Sequence, residues 1–114
     1  MSLELDEVRS TTSHPPTATL LTPFQLGPLL LPNRIVMSPM TRARSTHGVP
    51  ATIEVEYYVQ RATAGLIITG GIYISRTAVG GINVPGIYTD EQIASWRNIT
   101  EAVHSAGGRI FAQL

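Results

Sequence analysis

From Leu20 onward, short apolar runs alternate with glycine- and proline-marked turns and with stretches of helical periodicity. Leu20-Leu21 and Leu29-Leu30-Leu31 flank Gly27-Pro28, which predicts a small β-hairpin or extended lid element. Ile35-Val36-Met37 is a compact apolar run of the kind buried on both faces of a parallel sheet. Pro39 cannot donate a ladder hydrogen bond, so it is expected to end that strand. Thr41 to Val49 is polar and reads as a loop. Pro50 suits a helix start, and Ile53, Tyr57, Tyr58 and Ala62 recur at helical spacing through Ala64, where Gly65 stops the helix. Leu66-Ile67-Ile68-Thr69 predicts a second buried strand ended by Gly70-Gly71, with Ile72 to Ser75 able to continue it. Arg76 to Tyr88 predicts a long loop, of a length that accompanies function or disorder in compact domains. Thr89 and Gln92 have capping-box spacing, and Asp90 and Glu91 suit the positive start of a helix. Ile93, Trp96, Ile99, Val103 and Ala106 then form an apolar stripe, stopped by Gly107-Gly108. Arg109 to Leu114 begins a third strand.

The order strand, helix, strand, helix, strand indicates an α/β fold, a parallel sheet built from βαβ crossovers. The 114 residues are too few for a closed eight-fold barrel, which takes about 250. A chain stopping on a strand leaves an open sheet edge, so the pattern reads as the opening of a larger α/β domain. Residues 1–19 are rich in Ser, Thr, Pro and acidic groups without apolar periodicity, and read as a disordered tail ahead of a segment over 20–114.

Composition narrows the chemistry. Eight Arg balance eight acidic residues, so the net charge is zero and neither nucleic acid nor an anionic membrane is expected as partner. Lys is absent, which excludes Schiff-base chemistry from this segment. Cys is absent too, which excludes disulfides, thiolate metal sites and a Cys nucleophile. His14, His47 and His104 are scattered and show no metal-ligand spacing. The acidic start carries no secretory signal pattern, and a cytoplasmic location is the expectation.

In parallel α/β folds, ligand sites gather at the carboxyl ends of the strands. Three such ends are legible: Ser38-Pro39-Met40-Thr41, Thr69-Gly70-Gly71 and Ala112-Gln113-Leu114. Together they could line one side of a flat polar ring. Thr41 offers a hydroxyl, Gly71 lets a ligand approach the main chain, and Gln113 offers an amide that both donates and accepts. Each also has a plainer reading: Thr41 as a turn residue, Gly70-Gly71 as turn chemistry, Gln113 as a solvated end. Arg42 and Arg44 could contact phosphate or substrate, or be solvated or salt-bridged. Tyr57, Tyr58 and Trp96 fall on apolar helical stripes and read as packing, and His104 as a surface or packing residue.

Several motifs in fixed order carry a resemblance. They are Leu21-Thr22-Pro23-Phe24 through Leu31-Pro32-Asn33-Arg34, Ile35 through Arg42, Tyr57-Tyr58-Val59-Gln60-Arg61-Ala62 and Gly65-Leu66-Ile67-Ile68-Thr69. Pro85 through Gln92 and Ala102 through Gly108 complete the set. In these the chain resembles the amino-terminal third of the Old Yellow Enzyme family, flavin-dependent ene-reductases. The resemblance implies the first three β/α units of an FMN-containing (β/α)8 TIM barrel, truncated after the third strand. It implies NAD(P)H as hydride donor and an enone-type small molecule, an α,β-unsaturated carbonyl, as substrate. Carried over, Pro39, Met40 and Thr41 would lie along the flavin ring, with the Thr41 hydroxyl near O4 and N5. Gly71 would approach the O4/N5 edge, and Gln113 would bond the pyrimidine edge. Members commonly carry an acidic residue where this chain has Gly70, which is expected to loosen the strand end. The residues that bind substrate, donate the proton and hold the FMN phosphate belong to family segments beyond Leu114, so no catalytic residue is named here.

Three hypotheses result: a segment of an FMN-dependent ene-reductase; a truncated, inactive product or assembly partner of another barrel fragment, prone to self-association through exposed sheet edges; and an unrelated small α/β binding domain.

Overall fold

The computed structural model describes residues 19–114; apart from Thr19, the expected tail lies outside them. A hairpin forms around Gly27-Pro28, but its first strand is β1 (Phe24–Leu26) and not the Leu20-Leu21 run, which lies ahead of it; β1 pairs antiparallel with β2 (Leu29–Leu31), Gln25 opposite Leu30. Gly27 sits at φ 55°, a left-handed conformation that glycine adopts without steric cost.

Three parallel strands follow in sequence order: β3 (Val36–Met37), β4 (Leu66–Gly71) and β5 (Ile110–Gln113). Val36 pairs with Leu66, Ile67 with Ile110, and Gly71 with Gln113. The crossovers carry helix α1 (Thr52–Val59) and helix α2 (Asp90–Ser105). The predicted alternation is therefore present as an open sheet, not a closed barrel. Tyr58, Ala62, Ile67, Ile72, Trp96, Ile99 and Val103 make the core between helices and sheet. The two helix–sheet units share it: Tyr58 meets Trp96 at 6.3 Å between ring centroids, and the Trp96 indole donates to the Gly86 carbonyl at 3.0 Å.

At the amino ends of the strands, Asn33 acts as a clamp. Its Oδ1 accepts from the Ile35 and Gly65 amides at 3.0 and 2.8 Å, and its Nδ2 donates to the Thr63 carbonyl at 2.9 Å. One side chain thus fixes the starts of β3 and β4 against each other.

Four local expectations are corrected. Ile35 and Val36 are not buried on both faces; they are 45% and 46% exposed, because β3 is the edge of the sheet. Helix α1 ends at Val59, and residues 61–64 tighten into turns through bonds such as Ala62 N–H to Val59 O and Ala64 N–H to Arg61 O. Strand β4 includes Gly70 and ends at Gly71, and residues 72–75 do not continue it beyond the Tyr73 bridge. The buried stripe of α2 is Gln92, Trp96, Ile99 and Val103, whereas Ile93 is 42% exposed and Ala106 lies at the exposed carboxyl end. The capping box forms as expected, with Thr89 Oγ1 accepting from the Gln92 amide at 3.2 Å. Gln92 Oε1 returns to the Tyr88 and Thr89 amides, which draws that residue inward and rotates the stripe.

The loop of residues 76–88 is ordered by its neighbours. It holds a short 3-10 turn (Arg76–Ala78) and a parallel bridge between Tyr73 and Gly86. Ser45 N–H donates to Asn83 O, and Gly86 N–H to Gly48 O, so the loop after β3 and the loop after β4 are tied together.

Candidate active site at the carboxyl ends of the strands

Each of the three predicted strand ends delivers its polar residue to the same place. A Cβ at Gly71 would stand 3.8 Å from Thr41 Oγ1 and 3.8 Å from Gln113 Oε1. Only glycine leaves that point open, so bare main chain is flanked by a hydroxyl and an amide. Thr41 and Gln113 are exposed. Met40 packs against the neighbouring position: its carbonyl oxygen would lie 2.8 Å from a Cβ at Gly70. Pro39 is half-buried just beyond β3 and lies outside the 4 Å shell around Gly71.

Why the ends meet is a matter of register. Between Ile68 and Gly71 the β4–β5 ladder slips. The Thr69 hydroxyl, on a residue only 2% exposed, fills the gap by accepting from the Gln113 amide at 3.0 Å. Ile72 N–H then donates to Gln113 O at 2.9 Å. The slip aligns Gly71 with Gln113 and so sets the amide side chain beside the open glycine.

Gly70 does not loosen the strand end. The Met40–Thr41 backbone occupies the space a side chain would need, with Thr41 Cα 3.1 Å from the Cβ position. On the other side the Gly70 N–H donates to the Tyr58 hydroxyl at 3.2 Å. Tyr58 is 5% exposed, and burial away from water pushes its phenol above its ordinary value, partly countered by the Gly70 hydrogen bond. The hydroxyl is thus neutral at physiological pH and serves as a fixed acceptor.

A second buried pair anchors the loop that carries Thr41. Glu54 Oε1 accepts from Ser45 Oγ at 2.6 Å, and Glu54 Oε2 accepts from the Ala51 amide at 2.7 Å. Ala51 has no side-chain acceptor, so only the returning half of a capping box exists there, and Ser45 takes the remaining carboxylate oxygen. The sequence placed Thr69 at a strand end without its bond to Gln113, missed Ser45 and Glu54, and offered Tyr58 only as packing. Of the missed pair only Glu54 left a signal, a carboxylate at the third position of a helix. Among the described residues no cluster of His, Cys, Asp or Glu could hold a metal ion, and no helix is long and apolar enough to cross a membrane.

The arrangement defines the class first: a parallel β/α unit whose strand ends bring a hydroxyl, an amide and open main chain to one place. Residues 19–114 match the NADH:flavin oxidoreductase / NADH oxidase family over their whole span. Rice 12-oxophytodienoate reductase 7 (Oryza sativa subsp. japonica) is 44% identical over 98 residues, which cover 85% of this chain and 25% of that protein. Among solved structures, morphinone reductase in complex with tetrahydroNAD is 54% identical with a TM-score of 0.82, covering 83% of this chain and 26% of that one. The old yellow enzyme from Trypanosoma cruzi is 46% identical with a TM-score of 0.81, covering 85% and 26%. The chain belongs to the NADH:flavin oxidoreductase / NADH oxidase family, the Old Yellow Enzyme family of the resemblance. That family uses FMN, with NAD(P)H as hydride donor. The chain spans about a quarter of the length of these relatives.

Proposed function

We propose that the chain is a segment of an FMN-dependent ene-reductase and forms one rim of its flavin site, corresponding to the first three β/α units of a (β/α)8 barrel. The observation that supports this is the convergence of Thr41 Oγ1 and Gln113 Oε1 on the open main chain at Gly71. The residues fit a flavin: glycine admits a flat ring edge, and the two flanking groups match its alternating donors and acceptors. FMN bound there supplies hydride transfer from NAD(P)H to the C=C bond of an activated alkene such as an α,β-unsaturated carbonyl. The Thr41 hydroxyl would donate to a bound flavin, Gln113 would orient it through its amide, and Pro39 and Met40 would contribute to its border. Donors set in advance stabilise developing charge without reorganising. Tyr58 and Thr69 act through Gly70 and Gln113, as positioning residues.

A second reading is favoured by the open edges. Val36 on β3 and Phe111 on β5 are 46% and 49% exposed. In this reading the chain is an inactive product that assembles with itself or with another barrel fragment through these edges. The two are separated by titrating FMN into the 114-residue chain, following flavin fluorescence, with enone reduction and sedimentation measured on the same sample. The ene-reductase reading expects weak saturable binding that Gln113→Ala reduces, with no turnover by this chain alone. Flavin binding that Gln113→Ala and Thr41→Val leave unchanged would overturn the assigned rim.

A further inference from the structure

A cavity of about 250 Å³ opens on the Thr41–Gly71 edge, which lines it together with the rest of the loop after β3 and α1. Whole ligand pockets run to roughly 300–1,000 Å³, so this cavity is just below the small end of that range. Its charged lining is Arg42, Arg44, Arg61 and Glu54, three positive groups against one negative, in a chain whose net charge is zero. Both carboxylate oxygens of Glu54 accept hydrogen bonds, from Ser45 Oγ and the Ala51 amide.

Two of the arginines share one aromatic ring. Arg61 stands 4.1 Å and Arg42 5.8 Å from the centroid of Tyr57. The hydrogen bonds that Arg61 and Arg44 make run to main-chain carbonyls: Arg61 Nη1 to Tyr57 O at 2.7 Å, and Arg44 Nη1 to Arg42 O at 3.2 Å. Each guanidinium has five donors, so most of the donor capacity of these two stays available. Ala43, between Arg42 and Arg44, sits at φ 52°, a left-handed conformation that a non-glycine residue keeps only where its surroundings hold it. Like charges gathered on one ring beside a cavity are relieved by an anion.

We propose that this cavity is an anion-binding subsite in which Arg42 and Arg61 hold the carboxylate or phosphate of a reactant lying over Thr41 and Gly71. The proposal rests on the flavin-site reading only for what brings the anion there. A carboxylate would belong to the alkene substrate and a phosphate to the pyridine nucleotide; both are planar or tetrahedral oxyanions that guanidiniums bind through paired N–H donors.

The test titrates inorganic phosphate and, separately, acetate into the complete chain at constant ionic strength without flavin. Arginine Nε–Hε resonances are followed by NMR. Saturable shifts are expected at Arg42 and Arg61, with Arg97 on α2 unmoved. Arg42→Gln and Arg61→Gln each weaken binding by about tenfold or more, the scale of one lost charge-assisted hydrogen bond, while Arg97→Gln does not. Tighter binding of phosphate points to the nucleotide, and tighter binding of acetate to the substrate. No saturable shift, or an equal shift at Arg97, overturns the subsite. Should Arg61→Gln unfold the chain through loss of its bond to Tyr57, the wild-type shifts and Arg42→Gln decide. Because flavin is left out, failure here is distinct from failure of the FMN titration.

Discussion

Alanine at Gly70 and alanine at Gly71 are expected to move stability in opposite directions, although the two positions are adjacent and both lie in β4. At Gly70 a Cβ would stand 2.8 Å from the Met40 carbonyl oxygen and 3.1 Å from Thr41 Cα, all main-chain atoms. Ordinary contact begins at 3.4 Å, so the Met40–Thr41 backbone must yield by about 0.6 Å. Overpacking of this kind costs roughly 1–3 kcal/mol. Against it stands roughly 0.4–1 kcal/mol from the lower entropy of the unfolded chain. The clash wins, and Gly70→Ala should lose about 1–2 kcal/mol. At Gly71 the nearest atoms are side-chain oxygens at 3.8 Å, an ordinary contact, so only the entropy gain operates. Gly71→Ala should therefore gain about 0.4–1 kcal/mol while placing a methyl group where the flavin edge would approach. Urea unfolding followed by circular dichroism reads both. With a slope of about 1 kcal/mol per molar urea for a chain this small, the midpoint falls by about 1–2 M in the first variant and rises by about 0.5–1 M in the second. Flavin affinity drops in both, in the first because a displacement of about 0.6 Å at the Met40 carbonyl, next to Thr41, exceeds the tolerance of about 0.5 Å for a held site. A Gly70→Ala protein as stable as the parent would refute the close packing of Met40 on β4.

Tyr58→Phe strands the buried Gly70 N–H and should cost about 1–3 kcal/mol in the same urea assay. Because burial raises the Tyr58 phenol, the unfolded chain releases this proton first, near its ordinary value of 10.0. The stability it confers is complete below that pH and is lost as pH rises through the higher folded value. A pH series of unfolding midpoints should show this alkaline decline in the parent, reduced in Tyr58→Phe. Ile99→Ala, at a position with no exposure, should lose about 2–5 kcal/mol. Ile93→Ala, one position of the same sequence stripe but 42% exposed, should change thermal stability by no more than about 0.5 kcal/mol.

That last contrast shows how far periodicity reaches. The helical period and the Thr89–Gln92 cap located α2, because both are local signals within a few residues. They could not say which flank of the stripe turns inward. Gln92 is buried in place of Ile93 because its amide side chain closes the turn at Tyr88 and Thr89 against Gly86. The same limit explains Ile35 and Val36, whose apolar run reads as a central strand but stands at an edge.

The sequence by itself determined the order of strands and helices, the parallel sheet, the family, and Thr41, Gly71 and Gln113 as the groups offered at three strand ends. Each of those follows from a local pattern or from motifs in fixed order. The tertiary structure decided that the three groups meet. That depends on the slip between β4 and β5, on Thr69 accepting the amide of Gln113 from 44 residues away, and on Tyr58 holding Gly70 across the helix–sheet interface. Such contacts join residues far apart along the chain, and their energies exist only once the layers have packed.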